Sequence, residues 1–262
     1  MNNFPTISLS KLSELAAILD EAARSGRAVD QLTIENQIDL ANAYEIQRLN
    51  VARRLERGER LIGAKMGFTS IAKMRQMGVD ESIWGRLTDG MAIENGGRVA
   101  FSRYVHPRVE PEIAFLLKRQ LAGEVSREEA LAAVESVAPA AEIIDSRYRN
   151  FKFSHVDVVA DNSSSSGFVL GEWRAPRDLS DLAVVLEIDG QSVQSGSTGA
   201  ILGDPLLSLV EAARLTATGG APLQAGWVVL AGAATEAVAL RPGMCVRAFV
   251  ENLGDVAFTV DA

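Results

Sequence analysis

Two glutamates one residue apart, in His106-Pro107-Arg108-Val109-Glu110-Pro111-Glu112, precede the apolar run Ile113-Ala114-Phe115-Leu116-Leu117. A β-strand alternates its side chains between two faces, so Glu110 and Glu112 share one of them. Two carboxylates pressed together on a mostly buried sheet repel each other and lose hydration. They are tolerated with a cation, a shared proton or water. A hard divalent cation takes oxygen ligands of this kind. Glu142, in Ala140-Ala141-Glu142-Ile143-Ile144-Asp145, also follows an apolar stretch and could complete the set. The alternative is a solvated edge strand, which Pro111 favours.

Other groups could work beside them. Lys65 stands inside the apolar, glycine-flanked stretch Gly63-Ala64-Lys65-Met66-Gly67. It either forms a structural ion pair or is held, partly desolvated, as a carboxylate contact or an acid/base. Asp80, in a loop ahead of Trp84-Gly85, suits a helix cap or a proton shuttle. Arg147 could grip a carboxylate through its fork or neutralise Asp145 and the glutamates. Lys152, in Asn150-Phe151-Lys152-Phe153, reads as a surface lysine or a dicarboxylate contact. The run Asp161-Asn162-Ser163-Ser164-Ser165-Ser166-Gly167 is dense in hydroxyls and amides, and fits an ordinary turn or an anion-binding loop. His106 reads as structural, and neither it nor His155 forms a constellation with Cys245. The chain has no Gly-x-Ser-x-Gly elbow, no Gly-x-Gly-x-x-Gly and no P-loop, which argues against a serine hydrolase and a nucleotide cofactor.

The elements that must position these groups follow from periodicity. Leu12, Leu15, Ala16 and Leu19 keep helical spacing, with Ser8 or Ser10 as N-cap and Gly26 as the stop. A second helix is expected from about Asp39 to Glu59, with Ala41, Tyr44, Val51 and Leu55 on one stripe. Its basic end (Arg53, Arg54, Arg57, Arg60) is interleaved with Glu56 and Glu59 and reads as a solvated face. After Leu61, short apolar runs alternate with glycine-marked turns: Leu61–Met66, Ile113–Leu117, Val137–Ile144, Gly167–Leu170, Leu182–Ile188, Trp227–Ala231 and Cys245–Val250. Asp189-Gly190 predicts a type I′ hairpin turn. Ser126-x-x-Glu129 is a capping box, and Asp204-Pro205 starts a helix over Leu206–Leu215 that ends at Gly219-Gly220. The expected architecture is α/β (α+β): a helical N-terminal region over residues 1–60, then a mixed β-rich domain over 61–262.

With 262 residues, 47% of them hydrophobic, the chain has ample core for this plan. A net charge of −8 gives no attraction to nucleic acid or an anionic membrane. The single cysteine, Cys245, excludes an intrachain disulfide and is expected in a strand as a small core residue. Residues Met1–Pro5 carry no basic or long apolar stretch, and no segment approaches the roughly 20 apolar residues of a membrane span. A cytoplasmic protein is the expectation.

Seven motifs in order resemble one family. They are Lys65-Met66-Gly67-Phe68-Thr69-Ser70, Lys73-Met74-x-Gln76-Met77-Gly78-Val79, Leu87-Thr88-Asp89, His106-Pro107-Arg108-Val109-Glu110-x-Glu112, Glu142-Ile143-Ile144-Asp145-Ser146-Arg147-Tyr148, Asn150-Phe151-Lys152-Phe153 and Asp161-Asn162. Together they resemble the hydratase/decarboxylase branch of the fumarylacetoacetate hydrolase superfamily, which serves meta-cleavage degradation of aromatic compounds. The resemblance implies a fumarylacetoacetate-hydrolase-like domain with Mg²⁺ on Glu110, Glu112 and Glu142, Mn²⁺ as a substitute, and no organic cofactor. It implies decarboxylation of 2-oxo-3-hexenedioate (4-oxalocrotonate) to 2-hydroxypenta-2,4-dienoate, with hydration of that dienoate as the alternative within the branch. Lys65 would be the acid/base or carboxylate contact with Asp80 as its partner. Ser164 would hold a substrate carboxylate, and Arg147 and Lys152 would contact substrate or balance charge. A homo-oligomer and a complex with the pathway hydratase are further implications. A non-catalytic partner subunit is the alternative of another class, although such a subunit is expected to lose a metal glutamate or Lys65, and this chain keeps them all. Ser163, Phe68, Trp84 and Asp204 depart from the family's usual alanine, leucine, tyrosine and histidine, which bears on pocket shape rather than on the metal set.

Overall fold

The computed structural model describes residues 7–70, 74–75 and 78–262, and the elements and counts below are those of the described residues. Lys73, Gln76 and Met77 of the second motif, and the N-terminal residues 1–6, lie outside them. Helix α1 (Leu9–Ser25) is capped by the Ser8 hydroxyl, which accepts from the Lys11 amide, and is closed by Gly26 in the left-handed conformation. Helix α2 (Leu40–Glu56) starts at an Asp39 cap and stops three residues before the expected Glu59. Its buried face differs from the expected stripe: Ala41 and Leu55 are exposed, whereas Ala43, Ile46, Gln47, Asn50 and Val51 are buried. The reason is polar. Gln47 Nε2 donates to the carbonyls of Trp84 and Val159, both at 3.0 Å, so a buried amide off the expected stripe fixes which face turns inward. Arg54, Arg57 and Arg60 pair with Glu59, Asp20 and Asp89.

The strands that follow are β1 (Leu61–Gly67), β2 (Ile83–Thr88), β3 (Ala92–Ile93), β4 (Arg98–Ala100) and β5 (Arg108–Leu117). Helix α3 (Arg127–Ala133) opens on the Ser126/Glu129 capping box and leads into β6 (Val134–Ile144). Helix α4 (His155–Ala160) precedes β7 (Ser165–Leu170). The hairpin β8 (Ala183–Ile188) and β9 (Gln191–Ser197) turns at Asp189 and Gly190, both with positive φ as a type I′ turn requires. Helix α5 (Pro205–Thr218) starts at Asp204 with proline at its first position. Strands β10 (Val228–Ala233), β11 (Val238–Ala239), β12 (Cys245–Val250) and β13 (Gly254–Asp261) complete the chain. The architecture is the expected mixed one, with N-terminal helices ahead of β-rich sheets.

The larger sheet runs β2-β1-β10-β5-β6-β7-β3, with β11 also paired to β5; the second runs β4-β13-β12-β8-β9. Strand β5 therefore lies inside its sheet, so the edge-strand alternative for the glutamates is overturned. Pro111 is accommodated because its carbonyl accepts from Ala234 while β10 shifts register opposite, between Leu230 and Ala233. Cys245 is in a strand as expected but is exposed, not core. It opens β12 on the outward face shared with Arg247, while Val246, Ala248 and Val250 point inward.

Alternation assigns the faces of the larger sheet. Ile113, Phe115 and Leu117 pack with Leu206, Leu209, Ala212 and Ala213 of α5. Val109, Ala141 and Ile143 pack against Leu186, Val246 and Phe258 of the second sheet. The remaining face holds Ala114, Ala138, Ala140, Phe168 and Leu230, and continues along β5 and β6 to the glutamates. The sheet curls, bringing β2 against the turn that leads into β7: the Asn162 side chain accepts from the Arg86 amide at 2.8 Å and donates to its carbonyl at 2.9 Å. Gly85 permits the approach, because a Cβ there would meet the Asn162 carbonyl oxygen at 2.5 Å.

Candidate active site

Glu110 and Glu142 are direct partners across the antiparallel β5–β6 ladder, and Glu112 follows on the same face of β5. All three are buried, and one carboxylate oxygen from each lies within 4.8 Å of the others. Lys65, on β1, reaches this cluster across the curled interior. Its Nζ stands 2.9 Å from Glu142 Oε2 and donates to the Ser163 carbonyl at 3.1 Å. Gly232 donates its amide to Glu112 Oε2 at 2.8 Å, and its φ of 104° with Thr69 packed against it leaves no room for a side chain.

The Lys65 ammonium faces three carboxylates. Burial raises Glu112 well above the usual carboxylate range, and Glu142 and Glu110 add to the rise against the opposing pull of Lys65 and the Gly232 amide. Burial alone would depress the Lys65 ammonium, but Glu142, Glu112 and Glu110 outweigh it and hold Lys65 above its ordinary value. Glu112 Oε1 and Glu142 Oε1 are buried and have no hydrogen-bond partner among the described residues. Converging, unsatisfied carboxylate oxygens fit a small, hard divalent cation that keeps positions open for other ligands.

Glu110 and Lys65 open onto a cavity of about 630 Å³. Its walls are largely apolar, with Met66, Phe68, Ile83, Ile144, Phe153 and Val158, and its polar rim includes Thr69, Ser163, Ser164 and Thr235. The serine-rich run contributes a turn rather than an open loop. Asn162, Ser163 and Ser164 have φ of 50°, 51° and 61°, three consecutive left-handed residues without a glycine. This turn aims the Ser163 carbonyl at Lys65, ties the Ser163 hydroxyl to the Trp84 carbonyl at 2.8 Å, and leaves the Ser164 hydroxyl buried at the cavity and without a partner among the described residues. Strand β7 then begins at Ser165, two residues before the expected Gly167.

The structure thus brings Glu110, Glu112, Glu142, Lys65 and Ser164 together. It places the other three expected residues elsewhere. Arg147 is buried, spends its fork on Asp161 and the Ser166 hydroxyl, and borders a separate cavity of about 310 Å³. Lys152 and Asp80 are exposed and do not line the 630 Å³ cavity. Asp145 accepts the amides of Val105 and His106. Sequence reasoning gave no role to Arg108, Phe151 or Thr235, all of which line the cavity. For Arg108 the signal was present, because alternation puts it on the face of Glu110 and Glu112.

The fumarylacetoacetate (FAA) hydrolase C-terminal family matches residues 86–261. The chain is 58% identical over 250 residues to a 4-oxalocrotonate decarboxylase of Pseudomonas sp, covering 95% of this chain and 98% of that one. It is 38% identical over 248 residues to a 2-keto-4-pentenoate hydratase of Paraburkholderia xenovorans (strain LB400), covering 93% and 92%. The fold superposes on 4-oxalocrotonate decarboxylase from Pseudomonas putida G7, complexed with magnesium and adipate, with a TM-score of 0.94 at 36% identity, over 97% of this chain and 99% of that one. Fold and site define an FAA-hydrolase-type domain built around a carboxylate cluster. The chain belongs to the fumarylacetoacetate hydrolase family, in the group that holds these decarboxylases and hydratases.

Proposed function

We propose that this protein decarboxylates 2-oxo-3-hexenedioate to 2-hydroxypenta-2,4-dienoate with a divalent cation, Mg²⁺ foremost, held by Glu110, Glu112 and Glu142. The observation that carries the reading is the buried three-glutamate cluster, paired to Lys65, which opens through Glu110 and Lys65 onto a cavity of about 630 Å³. When bound, the cation supplies Lewis-acid stabilisation of negative charge on the substrate's C2 oxygen. The C5–C6 bond breaks, CO₂ leaves, and the electron pair moves through the C3–C4 double bond towards C2. Lys65 Nζ, held charged by its carboxylate neighbours, stands as the proton donor or cationic contact for that oxygen. Ser164 Oγ offers a hydrogen bond to a substrate carboxylate. The apolar walls keep water from the developing charge. Asp80 remains the proposed partner of Lys65 and would have to act from the cavity's outside. Arg147 is best cast as a support for the turn, through Asp161, and Lys152 as a surface charge.

The test is ultraviolet-monitored turnover of 2-oxo-3-hexenedioate with Mg²⁺, with and without EDTA, and of 2-hydroxypenta-2,4-dienoate separately. EDTA-sensitive CO₂ release from the first, with the second left intact, is the expected result. Hydratase relatives at 38% identity support the second reading, hydration of the dienoate, and consumption of that substrate alone would replace the first. Residues 1–60 are proposed as a helical region supporting a catalytic domain of residues 61–262. We also propose a homo-oligomer that passes its product to a hydratase, which light scattering alone and in a mixture would check. Among the described residues no helix is long and apolar enough to cross a membrane.

A further inference from the structure

Among the described residues the 630 Å³ cavity is lined by two cations with different commitments. Lys65 is spent on Glu142 and the Ser163 carbonyl. Arg108 makes no ion pair and no side-chain hydrogen bond among the described residues, although the chain carries a net charge of −8. By contrast Arg147 is locked to Asp161 and Arg149 pairs with Asp30. The Arg108 guanidinium instead lies over the Phe151 ring, 4.5 Å from its centroid. Phe151 is a built platform: its backbone and that of Asn150 are left-handed (φ 56° and 59°), and its ring packs on His106 and Phe153, each at 5.4 Å. A guanidinium resting on an aromatic face keeps its in-plane N–H donors available for a planar anion.

Position completes the argument. Arg108 and Glu110 are two residues apart on β5, hence on one face and about 6.6 Å apart along the strand. An extended six-carbon chain spans about 6 Å between its terminal carbons, given bonds of about 1.5 Å. A dicarboxylate with one end at the glutamate cluster therefore places its other end within reach of Arg108. Phe151 and Arg108 also border the neighbouring cavity of about 650 Å³, so that end lies where the two cavities meet.

We infer that Arg108 binds the distal carboxylate of the substrate and sets the preference for dicarboxylates over monocarboxylates. This rests on the decarboxylase reading for the identity of the distal group. Because that carboxylate leaves as CO₂, a guanidinium on it stabilises bound substrate rather than the transition state. Its removal therefore weakens KM, without the fall in kcat that a residue supporting the reacting centre would give.

The test compares the Mg²⁺-loaded protein with R108M, using 2-oxoadipate and 2-oxohexanoate as probes of equal length with and without the second carboxylate. Calorimetry should show wild type preferring 2-oxoadipate by about tenfold or more, the scale of one charge-assisted bidentate contact. R108M should bind both alike while keeping its 2-oxohexanoate affinity, and R108K should recover part of the preference. An unchanged preference in R108M overturns the inference, and so does an equal loss of both ligands, which would make Arg108 a support of the site. R108Q gives the same reading if methionine is not accommodated. If wild type prefers 2-oxoadipate through Arg108 yet releases no CO₂ from 2-oxo-3-hexenedioate, the decarboxylase reading fails and this inference stands. If it releases CO₂ and R108M keeps the preference, only this inference fails.

Discussion

Glu112 carries a heavy electrostatic penalty, since burial and two neighbouring carboxylates all oppose its charge. Glu112→Gln removes that penalty and a metal ligand together. The expected outcome is a metal-free protein at least as heat-stable as wild type, with the Mg²⁺-dependent rise in Tm and the turnover both lost. Without metal, wild-type Glu112 has a folded pKa above its unfolded one. Its stability contribution is then fully present below the unfolded pKa and is lost as pH rises through the folded value. A bound cation takes the deprotonated carboxylate, so the Tm gain from Mg²⁺ should grow from pH 5.5 to 8 in wild type and stay flat in Glu112→Gln. Lys65→Met leaves Glu142 buried without its cation, and denaturant unfolding of the EDTA-treated protein should show a loss of about 3–5 kcal/mol. Arg147→Ala should cost a similar ~3–5 kcal/mol by stranding Asp161, whose carboxyl burial already pushes to about 6 despite the guanidinium. The shared face of Glu110 and Glu112 was legible in their spacing. That Arg147 supports the turn from outside the cavity was not, because its partners Asp161 and Ser166 are set by the sheet's curl.

At the scale of elements, caps and turns were the most readable features. Ser8, Ser126 and Asp204 cap the helices they precede, and Asp189-Gly190 turns the hairpin, because each acts through hydrogen bonds within a few residues. Strands β2 and β13 and the short strands β3, β4 and β11 were missed. The interior face of β2 holds Gly85 against Asn162, and Arg86 bonds Gln47, so its sequence does not read as an apolar strand. Gly85→Ala tests the approach: pushing the Asn162 turn away should displace the Ser163 carbonyl and the Ser164 hydroxyl. Turnover should drop by at least about tenfold, with a stability loss within the usual ~1–3 kcal/mol of overpacking.

For the whole molecule, composition and periodicity anticipated helices followed by a β-rich body, but not the curl that brings Lys65 to Glu142. The N-terminal helices bury Leu12, Leu15, Leu19 and Ile46 against Ile83, Tyr148, Val158 and Val159 of the body. A fragment of residues 61–262 should therefore expose that surface and aggregate or melt well below the full chain, which light scattering during a thermal scan would show.

The pairing of β1 with β10 also governs when the site comes into being. Residues 63–65 bond to residues 228–230, which lie 165 positions further along the chain. Glu110 and Glu142 meet through a single antiparallel connection, but the strand carrying Lys65 has no place in the sheet until β10 has been synthesised. On the ribosome the acidic pair can form while its lysine waits, and high contact order makes that last closure slow. Truncation at the C-terminus is then expected to disturb the strand of Lys65 as much as the C-terminus itself.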